Sequence, residues 1–326
     1  MIKLIYNEML KLVRKKRILV IILIVAALIP LFTYAQYKVA QTVEEKLGTT
    51  DWRATLQQQI IDTQNRLSSS RISDEWRKQI EIRLAQQQYY LDHDINPAVP
   101  GAPSFTRSFL DQAITLFLPL MVMVIAADLV SSEFSGGTIK LLLTRPINRW
   151  KILLSKYITM IFAVSFMLLV VSVLSSVISG LVFGYGGWTM PVITGFTVEG
   201  GELVTSQVSL LPQWEYLLME LGLVWFVCLV IGTLSFMLSI LLRSTAAGMG
   251  VMLATLIAGA ILTNMASSWE SAKYLFMLNL QLTDYLAGMA PPVEGMTLGF
   301  SLSVLSVWGL AGLLTSFLVF TKRDVY

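Results

Sequence analysis

Apolar residues run in long, nearly uninterrupted blocks along most of this chain of 326 residues. About 20 apolar residues in a helix are needed to cross the hydrocarbon core of a bilayer, and six blocks reach that length. The pattern predicts an all-α polytopic membrane protein. The predicted order is an interfacial amphipathic helix at 1–17, spans at 18–37, 111–130, 157–183, 215–242, 246–264 and 298–320, a polar insertion at 38–110, loops at 131–156, 184–214 and 265–297, and a tail at 321–326.

The polar insertion at 38–110 has the periodicity of helices. Its apolar positions recur every three or four residues in two runs, and three serines lie between the runs. We expect an antiparallel helical hairpin outside the membrane, followed by an extended linker over 96–103. The hairpin either contacts a substrate or is only a solvated stalk. The apolar positions are Trp52, Leu56, Ile60 and Leu67 in the first run, and Ile72, Trp76, Ile80, Leu84 and Leu91 in the second.

The first residues of the chain predict a basic amphipathic helix. Ile2, Ile5 and Leu12 share one face, while Lys3 and Lys11 lie on the other. Such a helix is suited to the inner membrane interface, with its apolar face in lipid and its lysines near anionic head groups. The alternative is an ordinary basic flank that only fixes the orientation of the first span.

Basic residues indicate the orientation of the spans. Residues 1–17 contain six Lys and Arg against one Glu, and 128–156 contain five against two acidic residues. The 184–214 loop has no basic residue, and 265–297 has one against three acidic residues. Lys and Arg are retained in cytoplasmic loops, so both termini and the 131–156 loop are predicted to be cytoplasmic.

A short apolar segment before Pro291 is too short to cross and is expected to dip into the outer leaflet or to pack on the bundle.

Chemistry-bearing motifs are scarce. The sequence has no Gly-x-x-x-x-Gly-Lys-Ser/Thr phosphate loop, so nucleotide is expected to bind another chain. The single histidine, His93, lacks the partners of a zinc site, and the single cysteine, Cys228, excludes an intramolecular disulfide. We therefore predict no catalytic residue, no metal site, no cofactor in this chain and no nucleic-acid partner.

The connection between the second and third spans carries a recognisable pattern. It reads Glu133-x-x-x-Gly137-Thr138-x-x-x-Leu142-x-x-x-Pro146-x-x-Arg149 and continues to Leu153 and Lys156. Together with the amphipathic N-terminus, six spans and the closing Phe-Thr-Lys-Arg-Asp, this pattern resembles the ABC-2 type of ATP-binding cassette transporter permease, which has the type V exporter fold. The resemblance covers the chain except for the 38–110 insertion.

The resemblance implies a permease that works as a homodimer or heterodimer in a bacterial plasma membrane. Each permease chain would dock on a separate ATPase subunit, which binds ATP and Mg. A coupling helix at about 132–144 would sit in a groove of that subunit. Arg145 and Arg149 would pair either with acids of the ATPase or with lipid phosphates. The residues implied in docking and coupling are Glu133, Gly137, Thr138, Leu141, Leu142, Arg145, Pro146 and Arg149.

Three other functional classes fit the sequence less well than a permease does. An ion-driven carrier usually places ionisable groups near the membrane centre, whereas Asp111, Asp128 and Glu220 lie toward predicted span ends. An intramembrane protease would need a catalytic dyad that this sequence hardly supplies. A membrane sensor or scaffold for antibiotic or envelope stress, without transport of its own, is the remaining alternative.

Small residues in the third and fifth spans indicate close helix packing. The largely uncharged spans favour a hydrophobic or amphiphilic cargo such as a lipid, peptide or antibiotic.

Overall fold

The structure, a computed structural model, describes residues 1–47, 51–68, 74–97, 100–138, 147–199, 202–206, 208–263, 265 and 269–322. Short 3₁₀ turns at Glu270–Tyr274 and Phe276–Asn279 precede the short helix that begins at Thr283. The elements are α1 (Ile2–Arg14), α2 (Arg17–Leu47), α3 (Trp52–Leu67), α4 (Asp74–Asp92), α5 (Ala102–Ala113), α6 (Phe117–Ser135), α7 (Arg149–Phe183), β1 (Pro191–Thr194), β2 (Thr197–Glu199), β3 (Glu202–Val204), β4 (Ser209–Pro212), α8 (Gln213–Leu242), α9 (Thr245–Thr263), α10 (Thr283–Leu286) and α11 (Leu298–Lys322).

Six helices in the described ranges are long and apolar enough to cross a membrane. The prediction of a mostly helical chain with six such helices is confirmed at this level. The spans are Arg17–Val43, Phe117–Phe134, Arg149–Phe183, Gln213–Leu242, Thr245–Thr263 and Leu298–Lys322.

The core of the bundle forms where α6 and α8 pack along each other, with α7 and α11 beside them. Gly232 of α8 lies at a close crossing of three helices. A Cβ atom built there would stand 3.2 Å from a methyl of Val122 and 3.3 Å from the sulfur of Met160. Because glycine carries only a hydrogen where other residues have a Cβ atom, α6, α7 and α8 approach closely here, as small residues allow in membrane bundles.

Hydrogen bonds join neighbouring helices at both ends of the bundle. At one end, which we call the basic end, α6 is tied to both α8 and α9. The Ser131 amide donates to Ser239 Oγ over 3.0 Å, and the Ser131 hydroxyl lies 2.6 Å from that of Thr245. The Arg149 guanidinium there donates to Thr321 O of α11 over 3.4 Å. At the opposite end, the Ala102 amide donates to Gly184 O over 3.0 Å.

In the polar insertion, α3 and α4 lie antiparallel. Thr63 of α3 bonds to Gln87 of α4, and Arg53 near the start of α3 pairs with Asp94 just beyond the end of α4. The Gln86 side chain then donates to Ala287 O and Gly288 O, over 3.0 Å and 2.9 Å. These bonds join the insertion to the segment around α10, so the two helices are part of the packed molecule at the opposite end.

The structure corrects three features of the predicted architecture. Residues 184–214 are not only loop, because β1 pairs antiparallel with β4 and β2 with β3. The predicted linker at 96–103 is partly helical, since α5 begins at Ala102 with Pro103 in its first turn, where a missing N–H costs nothing. The third span, predicted to begin at 157, lies in the 35-residue α7, which already begins at Arg149.

The apolar segment before Pro291 packs on the bundle. Phe276, Leu280 and Leu282 lie in the main core, and Tyr285 of α10 packs against it. Leu282 is fully buried, and the Trp308 indole of α11 donates to Tyr274 O over 2.9 Å.

Candidate functional site

The basic end contains a buried cluster of charged side chains centred on Lys156. This residue lies in α7 and is fully buried. Its ammonium group is 2.7 Å from Glu8 Oε2 and 2.8 Å from Glu133 Oε1, and it donates to Leu129 O over 2.9 Å. An ammonium group has three N–H donors. All three are therefore satisfied, by α1 and by two positions of α6.

Glu133 connects the cluster back to α1. Its Oε1 lies 2.8 Å from Lys11 Nζ, and Lys11 is in turn 2.6 Å from Glu8 Oε1. Lys156, Glu133, Lys11 and Glu8 thus form a closed ring of alternating charge that spans three helices. We refer to these four residues as the ion ring.

A second group of charges extends the site toward the start of α2. Asp128 of α6 is buried and lies 2.9 Å from Lys15 and 2.7 Å from Arg17. The Lys15 ammonium also donates to Ser132 Oγ over 2.6 Å. With these three charged residues, the site has four cations and three carboxylates, so one positive charge is in excess.

The environment changes the acid–base behaviour of Lys11. Partial burial acts to lower the pKa of its ammonium group, but hydrogen bonds to Glu133 and Glu8 and the charges of these carboxylates outweigh burial. The pKa of Lys11 is consequently raised above its usual value of 10.5. The lysine stays charged throughout the physiological pH range, and the ring keeps its alternation.

The ion ring stands at the base of the 131–156 connection, where the sequence predicts the coupling site. Glu133 lies within α6, which continues to Ser135, and its carboxylate is buried. Gly137 follows the end of this helix with a φ of +67°, a conformation that glycine adopts without strain. The Thr138 hydroxyl donates to Glu133 O over 3.5 Å.

Arg149 lies at the other side of the same connection, where it begins α7 and donates to α11. The structure thus brings Glu133, Gly137 and Thr138 together at the end of α6. Leu141, Leu142, Arg145 and Pro146, which the sequence also predicts as docking residues, lie outside the described residues. The docking role of all eight residues stays a prediction, and the contacts of the buried Glu133 carboxylate are made within the chain.

Sequence reasoning did not find Glu8 and Asp128 as members of this site, and it placed Lys156 only at the end of a pattern. A signal for Glu8 was present, because it is the single acid among the six basic residues of 1–17. An acid on a helix otherwise selected for positive charge indicates a specific basic partner. The position of that partner, 148 residues later, is visible only in the fold.

The exposed face of α1 differs from the face that carries Glu8. Ile2 is 84% exposed and Val13 is 63% exposed, and Tyr6 and Met9 lie between them on the same side. Leu12, in contrast, is buried beside Glu8. The ion ring therefore holds α1 with its polar contacts inward and an apolar strip outward.

Comparison with known proteins gives two relatives in Bacillus subtilis (strain 168). The chain is 30% identical to "Uncharacterized protein YhcI" over 327 positions, which cover 100% of this chain and 99% of that protein. It is 29% identical to "Uncharacterized membrane protein YdbK" over 227 positions, covering 69% of this chain and 82% of that protein. Six apolar helices and a relative described as a membrane protein agree on a multi-pass membrane protein. A family model matches residues 83–326, and the chain belongs to that family, described as protein of unknown function (DUF2705).

Proposed function

We propose that the chain is the permease subunit of an ATP-driven exporter of the ABC-2 type, which functions as a dimer and docks on a separate ATPase subunit through the 131–156 connection. ATP and Mg bind the ATPase. Both termini lie in the cytoplasm, at the bacterial plasma membrane, and the α3–α4 hairpin lies outside. The observation that carries this proposal is the ion ring, because it ties the base of the docking segment to α1 and α7.

The ion ring supplies a route for coupling. A segment that emerges from α6 and returns into α7 moves the ends of both helices when a docked subunit pulls on it. Glu133 and Lys156 are held together by a buried ion pair, and removal of either partner from such a pair is strongly destabilising. The ends of α6 and α7 consequently move as one unit with α1. Packed helices change between discrete arrangements, so this movement is passed to the bundle.

The α1 helix acts in this proposal as an interfacial helix. Its exposed strip of Ile2, Tyr6, Met9 and Val13 faces the acyl boundary, while Lys3 is exposed near the head groups. Apolar contact combined with attraction to anionic lipids holds such helices in the interface plane. Because the ion ring fixes α1 to α6 and α7, a shift of those helices also shifts α1 within the lipid surface.

The cargo is proposed to be hydrophobic or amphiphilic, as a lipid, peptide or antibiotic-like compound. The described parts of the spans carry their charged side chains near the two ends, and the surface between them is apolar. A lipid-like or amphiphilic molecule can cross along such a surface without desolvating a fixed charge. Stimulation of ATPase activity by amphiphiles, with none by a small hydrophilic ion, is the expected result.

The first test is purification of the tagged chain from native membranes in mild detergent, followed by mass spectrometry and an ATPase assay. A stoichiometric ATP-binding subunit with vanadate-sensitive activity is expected, and a co-purifying related permease would identify a heterodimer. Repeated recovery of the chain without an ATPase would contradict the proposal and favour a sensor or scaffold.

The second test targets the docking segment directly. Gly137→Asp and Leu142→Asp are expected to reduce ATPase recovery and transport while membrane insertion is retained. Gly295→Asp is the matched control, since Gly295 also has a positive φ and also leaves the space around an added Cβ open, but lies at the opposite end before α11. Unchanged coupling in both docking variants would refute the assignment of this segment.

A further inference from the structure

A second buried cluster of polar side chains lies at the opposite end, where α5, α8 and α10 meet. Its centre is Glu220, on the third turn of α8, which is fully buried. Neither of its carboxylate oxygens has a hydrogen-bond donor among the described residues. A buried carboxylate without any donor is costly, so the surroundings of Glu220 require an explanation.

The nearest polar partner of Glu220 is a second carboxylate. Asp111 of α5, a helix that packs on α8, is the neighbouring carboxylate whose charge acts on Glu220. Two ionised carboxylates have only acceptor atoms, and they cannot bond to each other. One proton converts the contact into an O–H···O⁻ hydrogen bond, which is among the strong types in proteins.

The charges around the two carboxylates favour the binding of one proton by the pair. Among the residues that the structure describes, Arg107, four residues before Asp111 on α5, is the one basic side chain acting on Glu220. Its guanidinium lies 5.2 Å from the centre of the Tyr216 ring. With one proton on the pair, the remaining carboxylate charge is matched by Arg107, and the nearby Asp284 adds a further negative charge that favours the protonated form. Without it, a buried negative charge is left over, which is the situation in which two close carboxylates share a proton.

The other titratable groups near the pair add no further positive charge. The charged residues of α6, α7 and α11 in the described ranges lie toward the basic end, and the sequences of α9, β1 and β4 contain no charged residue. The groups that face the pair are Tyr90 from α4, Arg107 from α5, Tyr216 from α8, and Asp284 from α10.

From this arrangement we infer that Asp111 and Glu220 form a proton-binding site, in which Glu220 carries the proton and donates it in a hydrogen bond to the Asp111 carboxylate. The ligand is a single proton, and its binding joins α5 to α8. This inference does not depend on an ATPase partner. Loss of the proton places two like charges in contact and weakens the packing of α5 and α10 on α8.

The test is infrared spectroscopy of the purified full chain at neutral pH, where exposed carboxyl groups are ionised. The wild-type protein is expected to show the C=O stretching band of a buried carboxylic acid, shifted by exchange into D₂O. Glu220→Gln should remove the band without changing the elution volume, because its amide donates to Asp111 in place of the proton. Glu215→Gln, five residues earlier on the same helix, should retain it.

Two further measurements separate the proton site from its alternatives. Raising the pH should abolish the band, with a loss of about tenfold per pH unit beyond the midpoint. Asp111→Asn should also remove it, since an amide donor favours the Glu220 carboxylate. Absence of the band in the wild type, or its persistence in Glu220→Gln, would overturn the inference. Loss of the band on adding Na⁺ or K⁺ at constant pH would overturn it too, because the ligand would then be a metal cation.

Discussion

At the residue scale, the surroundings of Lys156 determine what its substitution does. Its ammonium group makes three short contacts, and two of its partners are buried carboxylates. We expect Lys156→Met to lower the free energy of unfolding by about 3–5 kcal/mol, because Glu8 and Glu133 lose their shared buried cation. Thermal or denaturant unfolding in detergent measures this change.

Lys151→Met is the matched control for that prediction. Lys151 lies on α7 five residues earlier, where its ammonium stands 5.6 Å from the Trp150 ring, and its loss should cost less than about 1 kcal/mol. Adding Glu133→Gln to Lys156→Met should restore part of the lost stability, since one of the two stranded charges is removed. Equal stability of Lys156→Met and Lys151→Met would show that the ion ring does not form.

Asp284 provides a prediction about pH. Burial, assisted by the charge of Asp111, raises the pKa of Asp284 from 3.8 to about 6. A raised carboxyl pKa means that the folded protein binds this proton more tightly than the unfolded chain. The stability that results is present below pH 3.8 and is lost as the pH rises through 6.

Asp284→Asn should therefore stabilise the protein at neutral pH. The expected gain is about 2 kcal/mol at neutral pH, with little change near the unfolded-state pKa. Unfolding curves of the two proteins at both pH values measure the difference. Asp62→Asn, at an exposed position of α3, is the control and should show no such dependence. A gain that is the same at both pH values would contradict the assigned cause.

The limits of sequence reasoning are also visible at this scale. The run from Glu133 to Lys156 was recognised because both residues fall within one local pattern. Their shared partner Glu8 was not, because periodicity describes which face a residue occupies and not which helix that face will meet. Glu220 shows the same limit, since its position near a helix end was predicted but its complete burial depends on α5 and α10 packing over it.

At the scale of elements, the number and type of spanning helices could be predicted because length and hydropathy alone determine them. The division into α5 and α6 could not, since Ala102–Ala113 has the mixed composition of a loop as readily as that of a helix. The strands β1 to β4 were missed for a related reason. Strands of three or four residues give no usable alternation, and their pairing depends on contacts across the 184–214 segment.

Glycines of α9 give a prediction for this scale. A Cβ atom at Gly259 would lie 2.5 Å from Cβ of Met277, which belongs to the second 3₁₀ turn. We expect Gly259→Ala to push that turn away from α9 and to lower stability by about 1–3 kcal/mol, as overpacking does. The unfolding temperature in detergent is the measurement.

Gly250→Ala on the same helix is its control. An added Cβ there would meet no atom within 4 Å, so the substitution should be neutral or slightly stabilising through better helix propensity. If the two variants unfold at the same temperature, α9 does not contact the 3₁₀ turn at Gly259.

At the scale of the whole molecule, the proposed orientation makes the two ends of the bundle chemically distinguishable. In a Cys228→Ala background, Gln58→Cys and Lys322→Cys place one exposed thiol at each end. An impermeant maleimide added to intact cells should label position 58 and should label position 322 only after permeabilisation, because Lys and Arg are retained inside. Labelling of both positions from one side would refute the topology.

The ion ring also implies an order of events during synthesis and membrane assembly of the protein. Glu8 is among the first residues to leave the ribosome, yet its partner Lys156 follows 148 residues later. At about 5–20 residues per second, that interval is about 7–30 s. Throughout that interval, the buried cation that pairs with Glu8 has not yet been synthesised. In the proposed orientation, α1 remains at the membrane surface until the third span is inserted, and it docks when the first half of the bundle forms.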